Sequence, residues 1–67
     1  MRVAVNGDIL ELPEQIDYIY HLLTHLSLEE RIVIVEHNGT IIPKQDYDRL
    51  QLSDGDRVEI VQFVGGG

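Results

Sequence analysis

Apolar and polar positions change their spacing several times along the chain, and each change marks a predicted element. A short apolar run that contains Val3 and Val5 is separated from a second apolar run by Asn6 and Gly7. Asn-Gly between two such runs is a strong hairpin signal, because both residues tolerate the positive φ of a type I′ turn. The pattern predicts antiparallel strands over residues 2–5 and 8–12, the second ended by Pro13, which has no N–H for a ladder.

The spacing of apolar residues becomes helical in the next segment. Apolar side chains recur at steps of three and four residues: Ile16, Ile19, Leu22, Leu23 and Leu26. This predicts a helix over residues 17–26, with Asp17 as its N-cap. His21 and His25 lie on the opposite side. A histidine pair at this spacing can bind a metal, but no third ligand is evident, so a solvated helix face is favoured.

The second half of the chain is rich in strand and turn signals. Residues 32–35 are β-branched throughout and predict a buried strand. Asn38 and Gly39 predict a second turn, residues 41–42 a short strand, residues 44–50 a helical turn or a loop, and residues 57–64 the last strand. Asp54 and Asp56 flank Gly55, which superficially suggests a calcium site. The other ligands of a calcium loop are absent, so a tight turn is favoured.

This order of elements predicts an α+β fold in which one main helix packs over one face of a mixed, four- to five-stranded sheet. The first and last strands could lie side by side at the centre of the sheet, which is the β-grasp topology, although order alone does not establish it. We expect a β-grasp domain over residues 1–64 and a glycine tail over residues 65–67. Most of the core should come from the following side chains: Val3, Val5, Leu10, Ile19, Leu22, Leu23, Leu26, Ile32, Ile34, Leu52, Val58 and Ile60.

Size and charge narrow the classes of function. A domain of 67 residues buries only about 60% of the surface of its unfolded chain, which favours a carrier or binding module over an enzyme with a full cleft. Five basic and twelve acidic residues give a net charge of −7, which argues against nucleic acid and anionic membranes as partners. There is no cysteine, so disulfides and thiolate metal sites are excluded. No signal peptide or membrane-length apolar run is evident, and we expect a cytoplasmic protein, monomeric when free.

The last strand is apolar on both faces, with Val58 and Ile60 on one and Val61 and Phe63 on the other. Only one face can lie beneath the helix. We therefore expect Val61, Phe63 and the adjoining Val64 to bind a partner protein. The alternative is that Phe63 is an ordinary core residue.

Gly65, Gly66 and Gly67 close the sequence and offer no side chain for chemistry. Three interpretations stay open: a remnant of a linker, a frayed end, or an arm that threads a narrow active site on another protein. Glycine suits the last because a side chain would obstruct a tight tunnel. A carboxylate at Gly67 could be activated as an acyl-adenylate, from which sulfur displaces AMP to give a thiocarboxylate.

Three segments, in this order, resemble the ThiS family of sulfur carriers. They are residues 34–43, with Asn38-Gly39 and Pro43; residues 52–60, which fit the family's Leu-x-Asp-Gly-Asp-x-Ile/Val-Glu pattern; and residues 63–67, an apolar pair followed by glycines. The resemblance covers nearly the whole chain. The family motif needs two terminal glycines and this chain has three, so Gly65 is interpreted as a spacer.

The resemblance implies a ubiquitin-like β-grasp fold and a pathway. An E1-like adenylating enzyme of the ThiF type would join AMP from ATP to Gly67, and a cysteine desulfurase system would supply sulfur. The thiocarboxylate would donate sulfur to a thiazole synthase of the ThiG type for thiamine biosynthesis. The carrier would bind no cofactor or metal of its own. The alternatives are a MoaD-like carrier for molybdopterin synthesis, a ubiquitin-like interaction module and a protein modifier.

Overall fold

A five-stranded mixed sheet with one short helix against it forms the body of the molecule, and the computed structural model describes residues 1–63 of the chain. In chain order the strands are β1 (Arg2–Val5), β2 (Asp8–Glu11), β3 (Val33–His37), β4 (Thr40–Ile42) and β5 (Arg57–Gln62), and the helix is α1 (Ile19–His25). A 3-10 turn at Lys44–Asp46 follows β4, which fits the predicted helical turn.

The strand order across the sheet is β2-β1-β5-β3-β4. β1 pairs with β5 in parallel, and the other three pairings are antiparallel. The first and last strands therefore lie side by side at the centre, as expected for a β-grasp. This placement gives β5 a neighbouring strand on each side and keeps its carboxyl end in the plane of the sheet.

Both predicted Asn-Gly turns are present. Asn6 and Asn38 adopt φ of 50° and 49°, and the glycines that follow, Gly7 and Gly39, each adopt φ of 88°. Two consecutive residues with positive φ are the requirement of a type I′ hairpin turn, whose twist matches that of the flanking strands. The hairpin prediction from sequence is confirmed at both places.

The predicted start of the helix was wrong. The helix begins at Ile19 with Tyr18 as its N-cap, and not at Asp17. Tyr18 forms an isolated antiparallel bridge with Gln51, and the carbonyl of Asp17 accepts a hydrogen bond from the backbone N–H of Leu52 at 2.7 Å. The chain stays extended through Tyr18 because it is paired with a distant segment there.

The core lies between the helix and the sheet. Its side chains are Val3, Val5, Leu12, Ile16, Ile19, Leu22, Leu23, Val35, Ile42, Tyr47, Leu52, Val58 and Ile60. Eight of the expected residues are among them. Tyr47 is one of these side chains, and burial raises its pKa.

Of the other four expected core residues, two are exposed and two are only partly buried. Ile32 is 74% exposed and Ile34 is 40% exposed, so residues 32–35 are not a strand buried on both faces. The helix covers one face of the sheet only, so alternate residues of β3 point away from it. Leu10 and Leu26 are partly buried and pack against the margin of the core.

Candidate protein-docking site

The face of the sheet that the helix leaves uncovered is its open face. The strand register identifies the side chains on this face. Val61 of β5 lies opposite Ile34 of β3, and Ile41 of β4 lies opposite Glu36 of β3. Val61 is 55% exposed and Ile41 is 65% exposed. Large apolar side chains that stay in contact with water on one face are typical of a protein-binding surface.

Two of the three predicted partner-binding residues lie on or beside this face. Val61 is part of β5, and Phe63, directly after the strand, is 52% exposed. Their predicted exposure is confirmed, and the alternative that Phe63 belongs to the core is wrong. The third residue, Val64, lies outside the described residues, as do the predicted tail positions Gly65, Gly66 and Gly67.

Phe63 is held in register with the sheet although it follows β5. Its backbone N–H donates a hydrogen bond of 3.0 Å to the carbonyl of Ile32. The β3–β5 pairing therefore continues one residue beyond Gln62. The pairing thus extends to the last residue that the structure describes.

Sequence reasoning missed Ile34 and Ile41 as members of the open face. The run of β-branched residues at 32–35 predicts a buried strand, with Ile32 and Ile34 in the core. Successive side chains of a strand point to opposite faces, and this alternation could have separated the two faces. In a strand over these residues, Ile32 and Ile34 would lie on the same side as Glu36, and Val33 and Val35 on the same side as His37. Because Glu36 is charged, the side of the strand that carries it is the one expected to face water.

The acidic turn before β5 has mainly an internal role. Asp56 Oδ2 lies 2.7 Å from His37 Nε2 and accepts the N–H of Ser53 at 2.8 Å, while Oδ1 accepts an N–H of Asn38 at 3.2 Å. Burial alone would raise the pKa of Asp56, but these hydrogen bonds outweigh it and lower the pKa. Asp54 accepts the backbone N–H of Arg2 at 2.7 Å. These contacts tie the turn to β1 and β3.

The histidines on the helix have a structural explanation. His21 Nδ1 accepts hydrogen bonds from the backbone N–H groups of Asp17 at 3.1 Å and Tyr18 at 3.3 Å, so its ring closes the start of the helix. His25 is exposed. In the part of the chain that the structure describes, no three His, Asp or Glu side chains gather as metal ligands would. Within the same residues, no helix is long and apolar enough to cross a membrane.

Comparison with known proteins decides the family. The sequence model of the ThiS family matches residues 3–67, which includes the glycines. The chain belongs to the ThiS family. It is 44% identical over 65 residues to the sulfur carrier protein ThiS of Bacillus subtilis, an alignment that covers 97% of this chain and 98% of that one.

Structural and further sequence comparisons agree with membership of the ThiS family. A crystal structure of the thiamine biosynthesis protein ThiS from Geobacter metallireducens superposes with a TM-score of 0.83 at 32% identity, with full coverage of both chains. The fold is therefore the ubiquitin-like β-grasp. A thiazole synthase of Paramagnetospirillum magneticum is 37% identical to this chain over 67 residues, which make up 20% of that protein. As a ThiS family member, the chain is a sulfur carrier of thiamine biosynthesis and not an enzyme.

Proposed function

We propose that the carboxylate of Gly67 is the group that carries sulfur. The observation that supports this most strongly is the family match, which extends through the glycines to residue 67. Glycine at positions 65–67 leaves this segment without side chains, which suits entry into a narrow active site. Because the chain has no cysteine, a persulfide on the carrier itself is excluded.

The chemistry proceeds in successive steps. An oxygen of the Gly67 carboxylate attacks the α-phosphorus of ATP, pyrophosphate leaves, and an acyl-adenylate forms. A sulfur nucleophile then attacks the carbonyl carbon, and AMP leaves with the pair of electrons of the broken C–O bond. When the nucleophile is the outer sulfur of a persulfide on the donor, the product is an acyl disulfide. A thiol then attacks the sulfur that belongs to the donor, a disulfide forms between the thiol and the donor, and the thiocarboxylate leaves with the electrons of the broken S–S bond. ATP and sulfur reach the carrier as substrates of other proteins, so the carrier needs no bound cofactor.

Three partners follow from this scheme. An E1-like adenylating enzyme of the ThiF type carries out the first step, and a cysteine desulfurase system supplies the sulfur. A thiazole synthase of the ThiG type accepts it for thiazole formation. Support for the last comes from the relative in which a segment similar to this chain forms a fifth of a thiazole synthase. We place these reactions in the cytoplasm and expect the free carrier to be a monomer.

The open face is the proposed docking site for the adenylating enzyme. Val61 and Phe63 are both about half exposed, and they lie at the end of the sheet from which the chain continues to Gly67. We assign Val64 to the same contact by its position in the sequence. Burying an exposed apolar side chain at an interface stabilises the complex by removing it from water.

The decisive experiment is reconstitution followed by intact-mass analysis. The chain is incubated with its adenylating enzyme, ATP and a sulfur donor, and with each component left out in turn. Its mass should increase by the difference between sulfur and oxygen only in the complete mixture. The same analysis of the chain purified from its own cells shows whether Gly67 carries the free carboxylate. An unchanged mass in the complete mixture contradicts the proposal.

A further inference from the structure

Two glutamates face each other on the open face of the sheet. Glu36 of β3 lies directly opposite Glu59 of β5 in the antiparallel register. Side chains in such a pair have Cβ atoms about 4.5–5.5 Å apart, and like charges in this position destabilise the sheet. Both side chains are partly buried, so water screens their repulsion less than it would on a fully exposed surface.

No cation within residues 1–63 offsets this repulsion by forming an ion pair with either carboxylate. The ion pairs of the described residues join Glu11 to Arg2 and to the terminal amine, and Asp56 to His37. Arg57 lies two positions before Glu59 on the same strand and forms no such pair. The acidic pair is thus a local cost to the free protein, and its carboxylates remain available to a group from outside.

Apolar side chains border the acidic pair. The next pair along β3 and β5 is Ile34 and Val61, and Ile41 lies beside Glu36 on β4. All three are exposed in the free chain. A protein that covers them removes water from the two carboxylates at the same time. Desolvated carboxylates are costly unless a cation accompanies them, so the chemistry of this face demands a positive charge from its partner.

We propose that Glu36 and Glu59 together bind one cationic side chain of the adenylating enzyme, and that this contact fixes the carrier on the enzyme. The inference rests on the proposed function, because it names a contact within the docking site proposed above. A guanidinium fits best, since its planar fork can donate to carboxylates on two sides. The adenylating enzyme is the favoured occupant because it must hold two anions, ATP and the Gly67 carboxylate, and therefore needs a cationic surface near the tail.

Binding measurements with matched charge variants test the assignment. Glu36→Gln, Glu59→Gln and the double variant are titrated at several salt concentrations against the adenylating enzyme and, separately, against the thiazole synthase of the same organism. The control is Glu14→Gln, which removes one negative charge from an exposed position in the turn after β2. Each variant of the pair should raise Kd about tenfold, as expected for loss of one charged contact at an interface. The control should stay within about twofold of the parent.

The outcomes separate this inference from the proposed function. The double variant should melt at or above the temperature of the parent, so weaker binding cannot be attributed to unfolding. If the parent binds the enzyme and gains sulfur while the double variant has an unchanged Kd, the glutamate contact is wrong and the carrier function stands. If the double variant loses affinity only for the thiazole synthase, the assignment of the occupant is wrong. A parent that neither binds the enzyme nor gains sulfur overturns both.

Discussion

The side chain of Asn6 forms two hydrogen bonds with the backbone of Ile60, 54 residues later in the chain. Its Nδ2 donates to the carbonyl of Ile60 at 3.1 Å, and its Oδ1 accepts the N–H of Ile60 at 2.7 Å. Asn6 therefore extends the pairing of β5 beyond the end of β1. Asn38 contacts β5 from the other side, where its Oδ1 accepts the N–H of Arg57 at 2.8 Å. The two turn asparagines thus hold the central strand between them.

Asn6→Asp should destabilise the fold by about 1–3 kcal/mol. The carboxylate cannot donate to the carbonyl of Ile60 and leaves that acceptor facing a negative charge. The free energy of urea unfolding measures the effect. Asn6→Gly is the companion variant, because it keeps the positive φ of the turn and loses both hydrogen bonds. If both variants unfold at the urea concentration of the parent, the contact contributes nothing to stability.

Leu23→Ala should destabilise the protein by about 2–5 kcal/mol, because it leaves a cavity beneath the helix. The Leu23 side chain is only 2% exposed. In so small a domain this approaches the total stability, so the variant should be largely unfolded by circular dichroism at 37 °C. His25→Ala, an exposed change on the same helix, is the control and should melt close to the parent. A Leu23→Ala variant as stable as His25→Ala would show that this helix face is not packed as described.

Asp56 should make stability dependent on pH in the acid range. Its pKa is lowered in the folded state, so its stabilisation is fully present above the unfolded pKa, near 4, and is lost as the pH falls through the lower folded value. Asp56→Asn should cost about 1–3 kcal/mol at neutral pH and flatten the decline of stability below about pH 4. Urea unfolding across pH 2–7 measures both effects, with Asp48→Asn, at an exposed position, as the control. An equally steep acid decline in Asp56→Asn would contradict this role.

Phe63→Ala should weaken binding to the adenylating enzyme at least tenfold while the melting temperature stays close to that of the parent, because the side chain is half exposed in the free protein. The matched control is Ile9→Ala, an exposed apolar residue on β2 at the edge of the sheet. Isothermal titration measures the affinity of both variants for the adenylating enzyme and so compares a change beside the tail with a change at the edge of the sheet. Equal loss of affinity in the two would mean that the contact is not concentrated beside the tail.

Extension of the chain by one residue after Gly67 should abolish ATP–pyrophosphate exchange with the adenylating enzyme, because an amide then replaces the carboxylate that attacks ATP. Gly66→Ala should lower the exchange rate by adding a methyl group and restricting φ in a segment that must thread an active site. Gly65→Ala, further from the reacting atom, should do less. All three changes follow the last strand in sequence, so melting temperatures should match the parent. An extended protein that still gains sulfur would exclude Gly67 as the acceptor.

The sequence by itself determined the local elements of this protein. Asn-Gly at two places specified type I′ turns, because few other residues adopt positive φ twice in succession. The spacing of Ile19, Leu22 and Leu23 specified the buried face of the helix, and the motifs at residues 34–43, 52–60 and 63–67 indicated the family. These signals are readable because each lies within a few neighbouring residues.

Only the tertiary structure decided which side of each strand meets the core. Ile34 and Val35 are both strongly apolar, yet one is exposed and the other buried, because a single helix covers a single face of the sheet. The helix begins two residues later than its pattern suggests, since Tyr18 is paired with Gln51. Glu36 and Glu59 are opposed only through the register of two strands joined by a long connection. Contacts between distant segments depend on how the whole chain packs, so the local spacing of apolar residues does not predict them.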